Sequence, residues 1–311
     1  MSVMRKVLLA MSTSPFLREQ ATRRAFVRKS VSAFMPGEKV EDALQAAASL
    51  KPQGINTILT RLGEGVTKLD EAERVTQHYL DVLDKVKAAG LDAQISVKPT
   101  QLGLDLDAAQ CQRNLDRICE KAERLGNVPV WIDMENSPYV EPTLTLFRAS
   151  KAKYKGVGIA IQAYLYRTAK DIEDLIPLGP AVRIVKGAYL EAAYVAYPKK
   201  SDVDESFFNL CCRLMKEDAR NTGTLLHIAT HDTPLIDRLL NHIDTEKVPP
   251  SAYEFAMLYG IQRNQQLRLA QSGRRIRVLI SYGEYWFPWY MRRLAERPAN
   301  ITFVLKNLFG G

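Results

Sequence analysis

The chain has 311 residues, of which 46% are hydrophobic and 25% are charged, and its formal net charge at pH 7 is +8. This length can bury a large hydrophobic core; it is long for a β-sandwich but ordinary for one α/β barrel with a short extra segment. No stretch approaches the ~20 uninterrupted apolar residues of a membrane-spanning helix, and the N-terminal segment lacks the features of a signal peptide.

The first fifty residues precede any strand pattern. Residues 1–50 are predicted to form a mostly helical extension that packs on the rest of the chain. Within them, residues 18–29 (REQATRRAFVRK) hold five cations and one acid. A helix of this composition either lies on an anionic membrane surface or presents a solvated face.

Eight short β-type runs then recur, with helical patterns between most of them. The predicted strands are 56–62, 93–100, 128–135, 157–164, 181–188, 225–231, 252–260 and 275–283. The predicted helices are 70–89, 108–124, 139–153, 168–176 and 204–221. This alternation predicts an α/β fold, a closed (βα)8 TIM-type barrel formed by 51–311, with an open doubly wound sheet as the alternative. We therefore expect a single domain spanning 1–311.

Polar side chains mark the ends of most of the predicted strands. They are Glu64, Lys98, Asp133, Glu135, Gln162, Arg183, Lys186, Thr230 and His231. The carboxyl ends of barrel strands and the loops after them line active sites, so this pattern predicts an active site. Cations outnumber acids, which indicates a ligand with negative charge. The chain has no P-loop and no strand-linked GxGxxG, so a nucleotide cofactor would be held without those loops.

A second group of cations follows an aromatic cluster near the C-terminus. Arg292 and Arg293 come directly after Tyr285, Trp286, Phe287, Trp289 and Tyr290. Aromatic bulk would exclude water, and two guanidinium groups could then grip one small carboxylate. The alternative is a helix in which an arginine pairs with Glu296. The sequence leaves both interpretations open.

Cysteine and histidine usage argues against a metal protein. The four cysteines, Cys111, Cys119, Cys211 and Cys212, form no CxxC pair and have no histidine at zinc-ligand spacing. We expect reduced thiols, no metal and a cytoplasmic location. His78 is expected on an exposed helix face and His242 in a loop.

Single residues leave two other chemistries open. Lys98 or Lys186 could form a Schiff base, as in barrel aldolases. Asp133 with His231 could ligate a metal ion. A basic chain could also be a non-catalytic binding protein for nucleic acid or lipid, although the polar strand ends argue against that class.

Several long segments resemble bacterial proline dehydrogenase of the short, single-function type. They are SVKPTQLGLDLD (96–107), WIDMENSP (131–138), IQAYLYRTAKDIEDL (161–175), VRIVKGAYLE (182–191), ATHD (229–232), YEFAMLYG (253–260) and YGEYWFPWYMRRLAERPAN (282–300). The resemblance spans nearly the whole chain in the same order. It implies a flavoenzyme on a (βα)8 barrel that oxidises L-proline to 1-pyrroline-5-carboxylate and passes electrons through FAD to a membrane quinone.

The resemblance also implies a role for each matching position. Asp133 and Arg183 would form the catalytic pair, with Arg183 close to the flavin N5. The implied FAD contacts are Met134, Gln162, Arg183, Lys186, Gly187, Ala188, Thr230 and His231. The implied substrate contacts are Lys98, Arg292 and Arg293 for the carboxylate, with Tyr189 and Leu258 as pocket walls. Glu64 would pair with Arg292 as a gate.

One functional position departs from the family pattern. The last strand usually reads RxYxPYG in this family, whereas here it is RVLISYG, with Leu279 in place of the pocket tyrosine and Ser281 in place of proline. Leucine keeps apolar bulk but loses the hydroxyl and the flat face. Leu279 thus makes hydroxyproline or another cyclic amino acid an alternative substrate.

The resemblance implies partners as well. A membrane quinone as electron acceptor makes peripheral attachment to the inner face of the cytoplasmic membrane a reasonable expectation, with residues 18–29 as the candidate contact. A pyrroline-5-carboxylate dehydrogenase is the implied pathway partner, and no nucleic acid partner is expected.

Overall fold

The structure of the protein is a computed structural model that describes residues 31–63, 65–126 and 128–296, with side chains up to residue 291. The strands are β1 (Asn56–Arg61), β2 (Ala93–Val97), β3 (Val130–Ile132), β4 (Val157–Gln162), β5 (Ala181–Val185), β6 (Leu225–Ala229), β7 (Tyr253–Leu258) and β8 (Ile276–Tyr282). The helices are α1 (Val40–Leu50), α2 (Leu69–Ala88), α3 (Ala108–Leu125), α4 (Val140–Lys151), α5 (Thr168–Leu175), α6 (Lys200–Met215), α7 (Glu217–Asn221), α8 (Thr233–Thr245), α9 (Arg263–Gln271) and α10 (Trp286–Glu296).

The eight strands close into one parallel barrel in chain order, which confirms the predicted (βα)8 fold. Strand β8 pairs with β1 to close the circle, with Leu279 opposite Ile58. All eight strands end one to three residues earlier than predicted. Lys98, for example, follows β2 as the cap of a 3-10 turn that begins at Pro99, because proline cannot continue the ladder.

The predicted helices form where apolar residues recur at helical spacing. In α2 the buried positions are Ala72, Thr76, Tyr79, Val82, Leu83 and Val86, which is one face turned to the barrel. The Asp107 side chain caps α3 by accepting from the backbone of Ala109 and Gln110. The predicted helix 204–221 is two helices, because Lys216 has an extended backbone (ψ 153°) between α6 and α7.

The inside of the barrel has its own small apolar core. Ile58, Trp131 and Ala181 pack there, with Leu225 and Leu279 against them. Gly158 makes room for the indole, because a Cβ at that position would lie 2.7 Å from the Trp131 ring. Among the described residues, none of the helices combines the length and the apolar character that a membrane span requires.

Two histidine predictions were wrong. His242 lies within α8, not in a loop, and its ring packs against Phe208 at 5.9 Å between centroids. His78 is half-buried, not exposed, and its Nε2 lies 2.8 Å from the Tyr282 hydroxyl. Burial, with the nearby positive charge of Arg61, lowers the pKa of His78 to about 4.

His78→Gln is therefore expected to reduce the loss of stability between pH 7.5 and pH 5. A base with a lower pKa in the folded state stabilises the fold above its unfolded pKa, near 6.5, and this contribution is lost as the pH falls toward 4. Because the ring is partly exposed, we expect the pH-dependent part of the free energy of unfolding to shrink by only about 1 kcal/mol. Urea denaturation at both pH values measures this. Tyr282→Phe, which keeps the imidazole, should retain the pH dependence; equal pH dependence in His78→Gln and the parent would contradict the prediction.

Candidate active site

Four polar side chains from three strands and the loops after them meet at the carboxyl end of the barrel. Asp133 Oδ2 accepts from Lys98 Nζ at 3.0 Å, and Asp133 Oδ1 accepts from Ser96 Oγ at 2.7 Å. Arg183 Nη2 donates to Asp133 Oδ1 at 2.5 Å and to Ser96 Oγ at 2.9 Å. The structure thus brings together three predicted site residues. Lys98 lies 35 residues before Asp133 in the sequence, and Arg183 lies 50 residues after it.

The charges of this cluster are mutually stabilised. Burial by itself would raise the pKa of Asp133, but Lys98 and Arg183 more than offset it, so the pKa lies below its ordinary value. Burial lowers the pKa of Arg183, and Asp133 opposes that shift. The side chains of Asp133 and Lys98 keep 18% and 12% of their surface exposed, so both remain reachable from the barrel mouth.

Trp131 forms the floor under the cluster. The Arg183 Cζ lies 5.0 Å from the centroid of the indole, a cation–π distance. The indole Nε1 donates to Gln94 Oε1 at 2.7 Å, which fixes the ring orientation. The floor is therefore apolar and rigid. It suits the planar, weakly hydrated guanidinium of an arginine better than the strongly hydrated ammonium of a lysine.

Gln162 lies at the end of β4 beside the segment after β3. Its Nε2 donates to the backbone carbonyl of Glu135 at 3.1 Å and more weakly to that of Met134 at 3.5 Å. Its Oε1 is buried and has no hydrogen-bond partner among the described residues. Gln162 therefore presents a fixed acceptor that a ligand N–H could satisfy.

The segment after β5 carries four more of the predicted site residues, Lys186, Gly187, Ala188 and Tyr189. Gly187 has a left-handed backbone (φ +111°), and a Cβ there would lie 2.3 Å from the Tyr164 ring. Only glycine fits this turn. Ala188 and Tyr189 follow it and are half-buried.

Lys186 is held by carboxylates. Its Nζ lies 2.5 Å from Asp204 and 2.8 Å from Asp232, and Lys200 bridges the same two acids. Burial opposes ionisation of Asp232, but hydrogen bonds from Lys186 and Lys200 lower its pKa to about 2. Lys98 and Lys186 thus both sit in ion pairs, and not in the apolar setting that activates a Schiff-base lysine.

Thr230 and His231 follow β6 at the same end of the barrel. Thr230 Oγ1 accepts from the Asp232 backbone at 3.2 Å. His231 Nε2 accepts from the Leu258 backbone N–H at 2.8 Å. A neutral His231 ring must therefore carry its proton on Nδ1. Among the described residues, no group of three or more His, Cys, Asp or Glu could hold a metal ion.

Leu258 and Leu279 form one side of the mouth. They are register partners on β7 and β8, and both are partly exposed. Ser281 lies one inward-facing position beyond Leu279, and its hydroxyl is buried with no partner among the described residues. The two positions that depart from the family pattern are thus on the same inward face of β8.

The aromatic cluster packs at the start of α10. Trp286, Phe287, Trp289 and Tyr290 are all at most 8% exposed, and Tyr285 is half-exposed. Trp286 Nε1 donates to Glu38 Oε1 at 3.1 Å, which joins α10 to the segment before α1. Arg292 and Arg293 lie in α10, but their side chains fall outside the described residues, as do Glu64 and residues 18–29 entirely.

Sequence reasoning missed several polar residues that support the cluster. Ser96 bridges Asp133 and Arg183, whereas His227, Glu254 and Arg277 lie deeper in the barrel. Each of them interrupts an apolar strand, as Arg183 does in β5. Applying that criterion to β6, β7 and β8 would have found the last three.

A family model described as proline dehydrogenase matches residues 43–306. The chain belongs to the proline dehydrogenase family. It is 36% identical over 306 residues to proline dehydrogenase 2 of Bacillus subtilis, covering 98% of this chain and 99% of that one. It is 34% identical over 312 residues to proline dehydrogenase of Deinococcus radiodurans, covering 99% and 98%.

Solved structures agree on the fold of this proline dehydrogenase family member. Proline utilization A (PutA) from Bdellovibrio bacteriovorus superposes with a TM-score of 0.79 at 22% identity, over 91% of this chain and 34% of that one. A PutA from Corynebacterium freiburgense gives a TM-score of 0.75 at 19% identity, over 98% of this chain and 34% of that one. The barrel therefore corresponds to about a third of these longer proteins.

Proposed function

We propose that the protein is an FAD-dependent proline dehydrogenase that oxidises L-proline to 1-pyrroline-5-carboxylate. The observation that carries the proposal is the cluster of Lys98, Asp133 and Arg183 at the barrel mouth, in a chain that belongs to this family. It places a fixed cation over an apolar floor, next to a partly exposed lysine that can receive an anionic group.

The residues at the mouth suit a flavin nucleotide. Gln162 offers an unpartnered buried acceptor, which matches the imide N–H of a flavin ring. Gly187 permits the left-handed turn that follows Lys186, and Lys186, whose Nζ is paired with Asp204 and Asp232, would face the polar chain of the cofactor. With these, Met134, Arg183, Ala188, Thr230 and His231 are the residues that would hold FAD. When bound, FAD supplies the hydride acceptor.

The chain's own task is binding, orientation and exclusion of water. Lys98, with Arg292 and Arg293, would hold the proline carboxylate, and each charge-assisted hydrogen bond contributes roughly 1.5–3 kcal/mol. Arg183, kept in place by Asp133, would stabilise the negative charge that develops at the flavin edge. Tyr189, Leu258 and the aromatic start of α10 would enclose the substrate, with Glu64 as a gate partner for Arg292.

The proposed electron acceptor is a membrane quinone. The net charge of +8 and the basic segment 18–29 support peripheral attachment of a cytoplasmic protein to an anionic membrane. Replacing the five cations of that segment should then weaken binding to anionic liposomes at low salt. The product would pass to a pyrroline-5-carboxylate dehydrogenase.

The test of the proposal is an anaerobic visible spectrum of the purified protein before and after addition of L-proline. The expected result is an oxidised flavin spectrum that bleaches with proline. A flavin spectrum that stays oxidised would support FAD as the cofactor but would contradict L-proline as the substrate. A protein without flavin, even after incubation with FAD, would overturn the proposed reaction; borohydride trapping of a substrate on Lys98 or Lys186 would then favour a lyase.

Leu279 favours one alternative, the same oxidation of hydroxyproline or another cyclic amino acid. Leu279 is partly exposed on the inward face of β8 and is smaller and less polar than the tyrosine of the family pattern. We expect Leu279→Tyr to raise the ratio of kcat/KM for proline over 4-hydroxyproline by about tenfold. Leu279→Met, which adds neither ring nor hydroxyl, is the matched control. An identical ratio in the parent and in Leu279→Tyr would show that Leu279 does not determine the preference between the two substrates.

A further inference from the structure

A line of buried polar side chains continues from the active-site cluster into the barrel. Arg183, His227 and Glu254 are register partners on β5, β6 and β7, so their side chains all point into the barrel, and the tilt of the strands places each one deeper than the last. These three residues and Arg277 of β8 are at most 4% exposed. The proposed chemistry uses only Arg183, although burying charged groups is costly unless they are paired.

Glu254 anchors this line and sets the state of His227. Its Oε2 accepts from Arg277 Nε at 3.1 Å and lies 3.0 Å from His227 Nε2 in a short but bent contact. Arg277 is itself held by Asp92 at 2.8 Å. A carboxylate can only accept, so His227 Nε2 carries the proton and Nδ1 keeps its lone pair. Burial lowers the pKa of His227 to about 4, so the ring is neutral at pH 7.

Three buried atoms of this line make no regular hydrogen bond among the described residues: His227 Nε2, whose contact with Glu254 is bent, and two complementary atoms that face no partner. Arg183 Nη1 is a buried donor, and His227 Nδ1 is a buried acceptor. They belong to neighbouring strands whose backbones are about 4.8 Å apart. Trp131 packs against both groups, with its ring centroid 4.3 Å from that of His227 and 5.0 Å from Arg183 Cζ. One buried water between such a donor and acceptor would satisfy both.

We propose that His227 is a positioning residue for Arg183. Its Nδ1, oriented by Glu254 and Arg277, accepts from Arg183 Nη1 through one buried water. This contact holds the guanidinium at the angle at which Nη2 reaches Asp133 and Ser96. A neutral acceptor does so without cancelling the positive charge that Arg183 contributes to the site. The effect on catalysis rests on the proposed function, whereas the geometry does not.

Two amide variants separate the two sides of the imidazole. His227→Asn places an acceptor near the position of Nδ1, and His227→Gln places a donor near the position of Nε2, toward Glu254. We expect His227→Asn to keep the rate of flavin reduction by proline within about threefold, and His227→Gln to lower it about tenfold, the size of one lost hydrogen bond to a charged group. Equal rates in the two variants, or the opposite order, would overturn the proposal.

A second measurement needs no cofactor. In the 15N-histidine-labelled protein, which contains four histidines, the signal that disappears in His227→Asn belongs to His227. It should show the neutral tautomer with the proton on Nε2 from pH 6 to 8, and its Nδ1 shift should change in Arg183→Met but not in Lys98→Met. A proton on Nδ1, an imidazolium, or an unchanged Nδ1 shift in Arg183→Met would overturn the proposal. If the protein binds no FAD, the proposed function fails while this measurement still decides the geometry.

Discussion

Replacing Arg183 with methionine is expected to slow flavin reduction by proline at least about 100-fold while FAD stays bound. Arg183 is 3% exposed, and its guanidinium lies over Trp131 and is oriented by Asp133 and Ser96, so its charge is held in place before any ligand binds. Methionine has similar length and apolar character but no charge. Anaerobic stopped-flow measurement of flavin bleaching gives the rate, and the absorbance ratio of flavin to protein gives the occupancy.

Two controls separate catalysis from folding. Arg213→Met removes an arginine on α6 that pairs with Glu173 and Asp218, and it should leave flavin reduction unchanged. Arg183→Lys keeps the charge but not the planar fork, so it should fall between the parent and Arg183→Met. A normal reduction rate in Arg183→Met would remove Arg183 from the catalytic pair.

Replacing Asp133 with asparagine is expected to have the largest effect on stability, a loss of roughly 2–4 kcal/mol in the free energy of unfolding. The variant has the same shape but leaves Lys98 and Arg183 facing one another without a carboxylate. The two positive charges, which both contact residue 133, would then repel each other, and both side chains are largely shielded from water. Urea denaturation at pH 7 measures the loss, and added formate should restore part of it by replacing the missing charge.

The pH dependence of this effect follows from the pKa of Asp133. Because that pKa is lowered in the folded state, the carboxylate stabilises the fold above its unfolded pKa, near 4, and the contribution is lost only as the pH falls through the folded value. The penalty of Asp133→Asn should therefore be equal at pH 7 and pH 5. Ser96→Ala, which removes only a neutral partner, should cost about 1 kcal/mol. If both variants lost a similarly small free energy of unfolding, the charge of Asp133 would not be what stabilises this cluster.

The barrel, and the end of it that carries the site, can be predicted from local sequence patterns. Eight β-type runs with helical patterns between most of them can close only a few ways, and each strand is recognisable from local pattern alone. Polar residues at strand ends, such as Lys98 and Gln162, were visible for the same local reason. The local pattern does not predict helices α8 and α9, and His242, predicted in a loop, lies in α8.

The pairing of the charges, in contrast, becomes visible only in the folded barrel. Lys98 and Arg183 both meet Asp133 because barrel closure brings distant strand ends to one rim, and no local pattern encodes that distance. Strand register likewise places His227 between Arg183 and Glu254. Pairing depends on the side to which each side chain points and on the level at which it enters the barrel. Both are set by the alternation and stagger of all eight strands together, and not by any one segment of the chain.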